Sequence, residues 1–246
     1  MNLHVIGSSS KGNSYVLSNG SETLVIEAGA RYKQVKQVID YKVDTVQALL
    51  VTHSHSDHAA YLSDYLMEGV KVLSPPGVAS KMADLAFTSI GFWLIGEAGV
   101  EMRFGRFHVL PFYVVHDVPC FGYLIHHPEC GKLVYITDTH YSPFKFNDIN
   151  HWIIEANYDA DILQARYESG KINYSYYDRV LHSHMSLQTT MDILRINNLS
   201  KTQSIILIHL SDQNSDEKMF IEEVTKTFGV PTYVADAGRI FNLSAF

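Results

Sequence analysis

The feature that most constrains this chain is the segment His53–His58, which reads His-Ser-His-Ser-Asp-His. It directly follows the largely apolar residues 48–52, a run that is typical of a buried strand. Alternate side chains of an extended chain project the same way, so the strand delivers three imidazoles and a carboxylate to one point. Because first-row metals prefer such ligands, the segment predicts one half of a two-metal site.

The second half of such a site is expected downstream, at the ends of other strands. Three candidate ligands each follow a short run rich in β-branched residues: His116 after 109–115, Asp138 after 133–137 and His209 after 204–208. Strands that share a sheet edge bring the residues at their carboxyl ends together. The sequence therefore predicts that these three side chains lie beside the first cluster.

With these motifs, nearly the whole chain resembles the metallo-β-lactamase fold superfamily. The resemblance implies an α/β fold, an αββα sandwich formed by a single domain over residues 1–246. It assigns seven ligands: His53, His55 and His116 to one ion, Asp57, His58 and His209 to the other, and Asp138 as the bridge. Histidine and aspartate suit zinc, with manganese or iron as alternatives, so the expected cofactor is two divalent metal ions per chain. An aspartate bridge without a cysteine ligand resembles the phosphodiesterase and nuclease branches.

Helices and short strands alternate along the chain. Helices are predicted near 32–39, 58–67, 76–87, 159–168, 187–196 and 216–228. Residues 171–179 are polar and aromatic, and we interpret them as a lid or a dimer contact. Helices on the outside of paired sheets are consistent with the αββα sandwich.

The predicted catalytic residues are Asp57, His184 and Glu155. Asp57 combines metal binding with orientation of the attacking water. Residues 155–157 (Glu-Ala-Asn) and 184–186 (His-Met-Ser) resemble strings in the transfer-RNA 3′-processing ribonucleases (RNase Z), although the threonines of that family are missing here. There an acidic residue orients a histidine, which implies that Glu155 orients His184 as the general acid. The alternative for His184 is a cap of the helix that begins near Ser186.

Four residues near these segments are candidates for substrate contact: His182, Tyr113, Tyr141 and Asn13. Tyrosine rings can stack on a nucleobase, while a structural role is the alternative for each. Asn13 lies in the glycine- and serine-rich turn 7–14, and it could instead donate to a residue behind the metals.

Charge limits the class of substrate. The chain carries 19 basic and 26 acidic residues, a formal net charge of −7, without a basic stripe, which makes a nucleic-acid partner unlikely and favours a small molecule. The sequence is similar to anti-Pycsar cyclic-nucleotide phosphodiesterases, which implies hydrolysis of purine and pyrimidine 3′,5′-cyclic nucleotides to 5′-monophosphates in evasion of antiphage signalling. A 5′-to-3′ DNA exonuclease of the YycJ/WalJ type, or another nuclease of the same fold, is the alternative. A protein that only sequesters a nucleotide is disfavoured, because it needs no dinuclear centre.

The expected location is the cytoplasm of a bacterium or of a phage-infected host cell. The first residues lack a signal-peptide pattern, and no apolar run approaches the roughly 20 residues of a membrane span. Two cysteines are expected to remain reduced. The family resemblance further implies a homodimer.

Overall fold

The computed structural model describes residues 1–88 and 91–244 of the domain predicted over residues 1–246. Within these residues the strands form two seven-stranded sheets. The first sheet contains, in spatial order, β14 (Ile240–Asn242), β1 (Asn2–Gly7), β2 (Ser14–Ser18), β3 (Thr23–Ile26), β4 (Val46–Leu50), β5 (Val72–Ser74) and β6 (Trp93–Ile95). The second contains β13 (Thr232–Val234), β12 (Ser204–Ile208), β11 (His151–Glu155), β10 (Gly131–Ile136), β9 (Cys120–His127), β8 (Phe107–Val114) and β7 (Met102–Phe104).

Helices cover the outer face of each sheet. On the first sheet these are α1 (Tyr32–Val38), α2 (Ser56–Ala59), α3 (Leu62–Met67), α4 (Pro76–Lys81) and α5 (Ala83–Thr88). On the second they are α8 (Leu187–Arg195) and α9 (Glu217–Phe228). Helices α6 (Ala160–Glu168) and α7 (Tyr174–Ser183) pack together in a separate small apolar cluster. None of the helices in the described ranges is long and apolar enough to cross a membrane.

Alternate residues of the central strands enter different apolar layers. In β12, Ile206 and Ile208 pack between the sheets, whereas Ile205 and Leu207 pack beneath α8 and α9. Such a strand is buried on both faces, which explains its continuous apolar sequence. The αββα sandwich predicted from the sequence is therefore confirmed.

Parallel pairing determines where the site forms. Strands β10, β11 and β12 run parallel to one another, as do β3 and β4 in the other sheet. Their carboxyl ends consequently meet at one edge of the sandwich, where the chain turns from strand to loop. Both sheets contribute polar side chains to this edge.

Four local features differ from the sequence expectations. The helix expected over 58–67 is divided into α2 and α3, and the helix expected over 76–87 is divided into α4 and α5. The short strand β6 was not predicted, nor was helix α7, and the interpretation of residues 171–179 as a lid or a dimer contact stays a prediction. Tyrosine is a weak helix former, so the composition of α7 does not reveal it. Tertiary contacts stabilise this helix, because Val180 and partly buried tyrosines pack against Tyr158 and Leu163.

Candidate metal centre

The predicted ligands are concentrated in a buried cluster at the sheet edge. His53 and His58 are fully buried, and His209 and Asp138 are only 1% and 2% exposed. Asp138 and His209 also adopt left-handed backbone conformations, with φ of +48° and +57°. Non-glycine residues adopt this conformation only where surrounding contacts enforce it, and such residues often lie at functional sites.

Three imidazoles and one carboxylate form the first cluster. His55 Nδ1 lies 3.1 Å from His53 Nε2 and 3.3 Å from His116 Nε2. Asp138 Oδ2 lies 3.4 Å from His53 Nε2. Tetrahedral zinc with bonds of about 2.1 Å requires ligand atoms about 3.4 Å apart, so this spacing fits a metal ion.

The second cluster shares Asp138 with the first. His58 Nε2 lies 3.1 Å from Asp138 Oδ2 and 3.4 Å from Asp57 Oδ2. His209 Nε2 lies 3.7 Å from Asp57 Oδ2 and, within the part of the chain described, is buried without a hydrogen-bond partner. A buried nitrogen of this kind is costly unless an ion or another partner contacts it. The two clusters are thus compatible with a dinuclear metal site in which Asp138 occupies the shared position.

The electrostatics favour the metal-binding forms of two of these groups, His53 and Asp138. Burial opposes protonation of His58 and His209, but Asp138 raises the pKa of both rings well above the ordinary value. Burial and the neighbouring imidazoles hold the pKa of His53 well below its ordinary value, so the ring is neutral. Burial opposes ionisation of Asp138, but His209 and His58 hold the pKa of this carboxyl well below its usual range. Neutral imidazole and ionised carboxylate are the forms that bind metals.

Glu27 is a site residue that the sequence analysis did not identify. It is fully buried at the end of β3, with φ of +67°, and its Oε1 lies 3.2 Å from His58 Nδ1. Thr52 donates to both Glu27 oxygens, through its hydroxyl at 2.6 Å and its backbone N–H at 3.2 Å. Glu27 thus lies against the Nδ1 side of the His58 ring, and Nε2, on the opposite side, faces the cluster. The sequence feature that could have identified Glu27 is its position directly after an apolar strand.

His184 and Glu155 meet beside the two clusters, as the sequence analysis expected. His184 Nδ1 lies 2.7 Å from Oε1 of the fully buried Glu155, and 3.7 Å from Asp138 Oδ1. The capping alternative fails, because Ser186 is the N-cap of α8 and accepts from Thr189 N–H. Asp138, Glu155, His184 and His209 also form a third group close enough to hold an ion.

A cavity of about 300 Å³ opens beside His184 and His209. His182, Tyr113 and Tyr141 are not among its lining residues. The His182 side chain is 73% exposed, and Tyr113 and Tyr141 are 51% and 44% exposed. Contact of these three residues with substrate remains a prediction.

Two other polar residues lie against predicted ligands. Asn13 is buried, with its amide nitrogen 3.1 Å from His58 Nε2, so it contacts a candidate ligand, and its contact with substrate stays a prediction. Exposed Asp117 lies 3.0 Å from His116 Nε2 and 3.5 Å from His55 Nε2.

Comparison with known proteins supports the same fold. The model of the metallo-beta-lactamase superfamily matches residues 9–66. The chain is 26% identical to exodeoxyribonuclease WalJ of Streptococcus pneumoniae, over 87% of this chain and 83% of WalJ. It is 27% identical to exodeoxyribonuclease YycJ of Bacillus anthracis, over 94% of this chain and 92% of YycJ.

Solved structures agree over almost the full length. The metallo-beta-lactamase fold protein YhfI from Bacillus subtilis superposes with a TM-score of 0.72 at 15% identity, covering 98% of both chains. The short form of human tRNase Z gives 0.64 at 16% identity, covering 99% of both. The chain therefore has the metallo-β-lactamase fold, and the predicted fold class is confirmed. The anti-Pycsar branch stays a prediction.

Proposed function

We propose that this protein is a metal-dependent phosphodiesterase that degrades DNA from a strand end. The observation that carries the proposal is the pair of clusters sharing Asp138, with His184 held by Glu155 at their edge. Two relatives similar over 87% and 94% of this chain are exodeoxyribonucleases. The order of the two expectations from the sequence is thereby reversed, and the exonuclease replaces the cyclic-nucleotide phosphodiesterase as the preferred function.

Seven side chains would hold two divalent ions: His53, His55, Asp57, His58, His116, Asp138 and His209. Such a pair of ions lowers the pKa of water and neutralises charge on a phosphodiester. The Asp57 side chain is 20% exposed, whereas that of Asp138 is 3% exposed. The Asp57 carboxylate can therefore also accept a hydrogen bond from the attacking water and orient that water toward phosphorus.

His184 supplies the proton that the departing oxygen requires. Glu155 contacts Nδ1, so this nitrogen carries a hydrogen and Nε2 remains for the substrate. As a general acid the ring would donate a proton from Nε2 to the departing oxygen, while Nδ1–H stays bonded to Glu155. The His184 side chain is 12% exposed, enough to reach the cavity and yet shielded from bulk water.

A second candidate is hydrolysis of 3′,5′-cyclic nucleotides to 5′-monophosphates, which would counter antiphage signalling. The net charge of −7 favours it, because a single phosphodiester needs no basic groove. The cavity of about 300 Å³ is at the lower end of the range for small-molecule sites.

One assay separates the two. Metal-loaded protein is incubated with 5′-labelled single-stranded DNA and with purine and pyrimidine cyclic mononucleotides, and the products are resolved by chromatography. We expect stepwise release of mononucleotides from a DNA end. Hydrolysis of cyclic mononucleotides while the DNA stays intact would favour the cyclic-nucleotide phosphodiesterase over the exonuclease. Absence of both reactions would refute both functions.

A further inference from the structure

One face of helix α7 forms a wall of the cavity beside the metal centre. Tyr176, Arg179 and Val180 line the cavity, and their spacing of three and four residues places them on the same side of the helix. The helix ends at Ser183, so His184 follows immediately in the same wall. The general-acid candidate and the Arg179 guanidinium thus face the same space.

Arg179 is a cation without a carboxylate partner in the described ranges 1–88 and 91–244. Its guanidinium carbon lies 5.2 Å from the centre of the Tyr176 ring. The Tyr176 hydroxyl in turn accepts from the Asn214 amide at 3.1 Å, which fixes the ring. A guanidinium stacked on an aromatic face is partly ordered in advance and keeps its N–H donors available.

The other charges near this cavity are already balanced or engaged. Asp212 lines the cavity, but its carboxylate pairs with Lys11 at 3.3 Å. Arg166 lies outside the lining and donates to Gln213. Among the described lining residues, Arg179 is therefore the cation without a carboxylate partner, and the space that it faces adjoins two candidate ligand clusters. Bidentate binding of a phosphate is the chemistry that suits an arginine in this setting.

We propose that Arg179, supported by Tyr176, binds the phosphate next to the one that is cleaved. This inference rests on the proposed nuclease function, since a DNA strand offers a second phosphate and a cyclic mononucleotide does not. It gives the protein a subsite for one neighbouring phosphate in place of an extended basic groove. A short contact of this kind also reconciles a DNA substrate with a net charge of −7.

The test is a binding measurement by calorimetry on metal-loaded protein. Thymidine 3′,5′-bisphosphate is compared with thymidine 3′-phosphate and thymidine 5′-phosphate. The wild type is expected to bind the bisphosphate about tenfold more tightly than either monophosphate, as one charge-assisted phosphate contact allows. R179A should lose this preference, and R179K should retain part of it, because lysine keeps the charge without the planar fork.

R195A is the matched control, since Arg195 lies on α8, pairs with Asp192 and does not line the cavity. It should keep the full preference. Equal binding of all three nucleotides by the wild type, or an unchanged preference in R179A, would overturn the subsite. The DNA assay is read separately: an Arg179-dependent preference without DNA degradation would refute the nuclease and leave the phosphate subsite standing.

Discussion

One buried carboxylate, Glu155, contacts two histidine rings at the centre of the site. Its Oε1 lies 2.7 Å from His184 Nδ1 and 3.1 Å from His209 Nδ1. Each contact leaves the opposite nitrogen, Nε2, directed away from Glu155. The same residue therefore orients a candidate metal ligand and a candidate acid, and substitutions of the two histidines should have different effects.

The first prediction separates the acid from the ligands. H184A should keep its metals but lose about 10²- to 10⁴-fold in turnover of DNA, because the leaving oxygen loses its proton donor. The loss should shrink on bis-p-nitrophenyl phosphate, whose leaving group needs little protonation. H126A is the control, since His126 is an exposed histidine of β9 that belongs neither to the cavity lining nor to the clusters. Equal losses on both substrates would argue that His184 only positions the loop.

The second prediction concerns Glu27. E27Q should weaken metal binding by about 10- to 100-fold, because the amide orients and polarises His58 less well than a carboxylate. Competition with a chromophoric chelator measures this affinity directly. E68Q removes an exposed carboxylate that pairs with Lys36, and it should bind metal as the wild type does. An E27Q protein with undiminished affinity would show that Glu27 serves only the core.

His151 gives a prediction away from the metal centre. Burial lowers its pKa from 6.5 to about 4, and the neutral ring is satisfied, with Nδ1 accepting from Ser204 and Nε2 donating to the Ser244 carbonyl. Because the folded pKa is depressed, this stabilisation is fully present above pH 6.5 and is lost as the pH falls through 4.

H151Q should therefore flatten the acid decline of unfolding free energy by up to about 3 kcal/mol between pH 6.5 and 4. Urea titrations of the wild type and H151Q across this range measure the difference between their unfolding free energies. Any contribution from metal release is common to both proteins and cancels in this difference. Parallel curves for H151Q and the wild type would contradict the assignment.

At the scale of elements, the site depends on how closely the loop after β3 approaches helix α2. Ala28 N–H donates to the His58 carbonyl at 2.8 Å, and Asn13 N–H donates to the Asp57 carbonyl at 2.7 Å. Gly29 lies between these bonds, where a Cβ atom would stand 1.7 Å from the Asp57 carbonyl oxygen. Only glycine allows this approach.

G29A should consequently destabilise the fold by about 3 kcal/mol or more and displace Asp57 from the cluster. Denaturant titration and elemental analysis together measure both effects. G20A is the matched control: space around Gly20 is open, so only its φ of +86° is strained, with an expected cost of about 1 kcal/mol. A G29A protein as stable and as metal-rich as the wild type would refute this contact.

Across the whole molecule, the site residues that could be predicted from the sequence are those at the ends of buried strands. Asp138 and His209 follow buried strands within two residues, and parallel pairing must bring such residues to one edge. Helix α7 escaped prediction because tertiary packing stabilises it against a weak intrinsic propensity. Because Arg179 lies on this helix, its position in the cavity wall could not be predicted either. Composition favoured a cyclic nucleotide because it reports net charge, whereas the proposed phosphate subsite depends on the position of a single guanidinium.

The proposed dinuclear centre is tested most directly by adding metal to the chelator-treated protein while mononucleotide release from a labelled DNA end is followed. Seven candidate ligands, with Asp138 shared between the two clusters, predict that activity is absent without metal and is restored as about two ions bind per chain. D138A should not recover, because it removes the residue common to both clusters. Full DNA degradation by metal-free protein would contradict the dinuclear centre on which the proposed function depends.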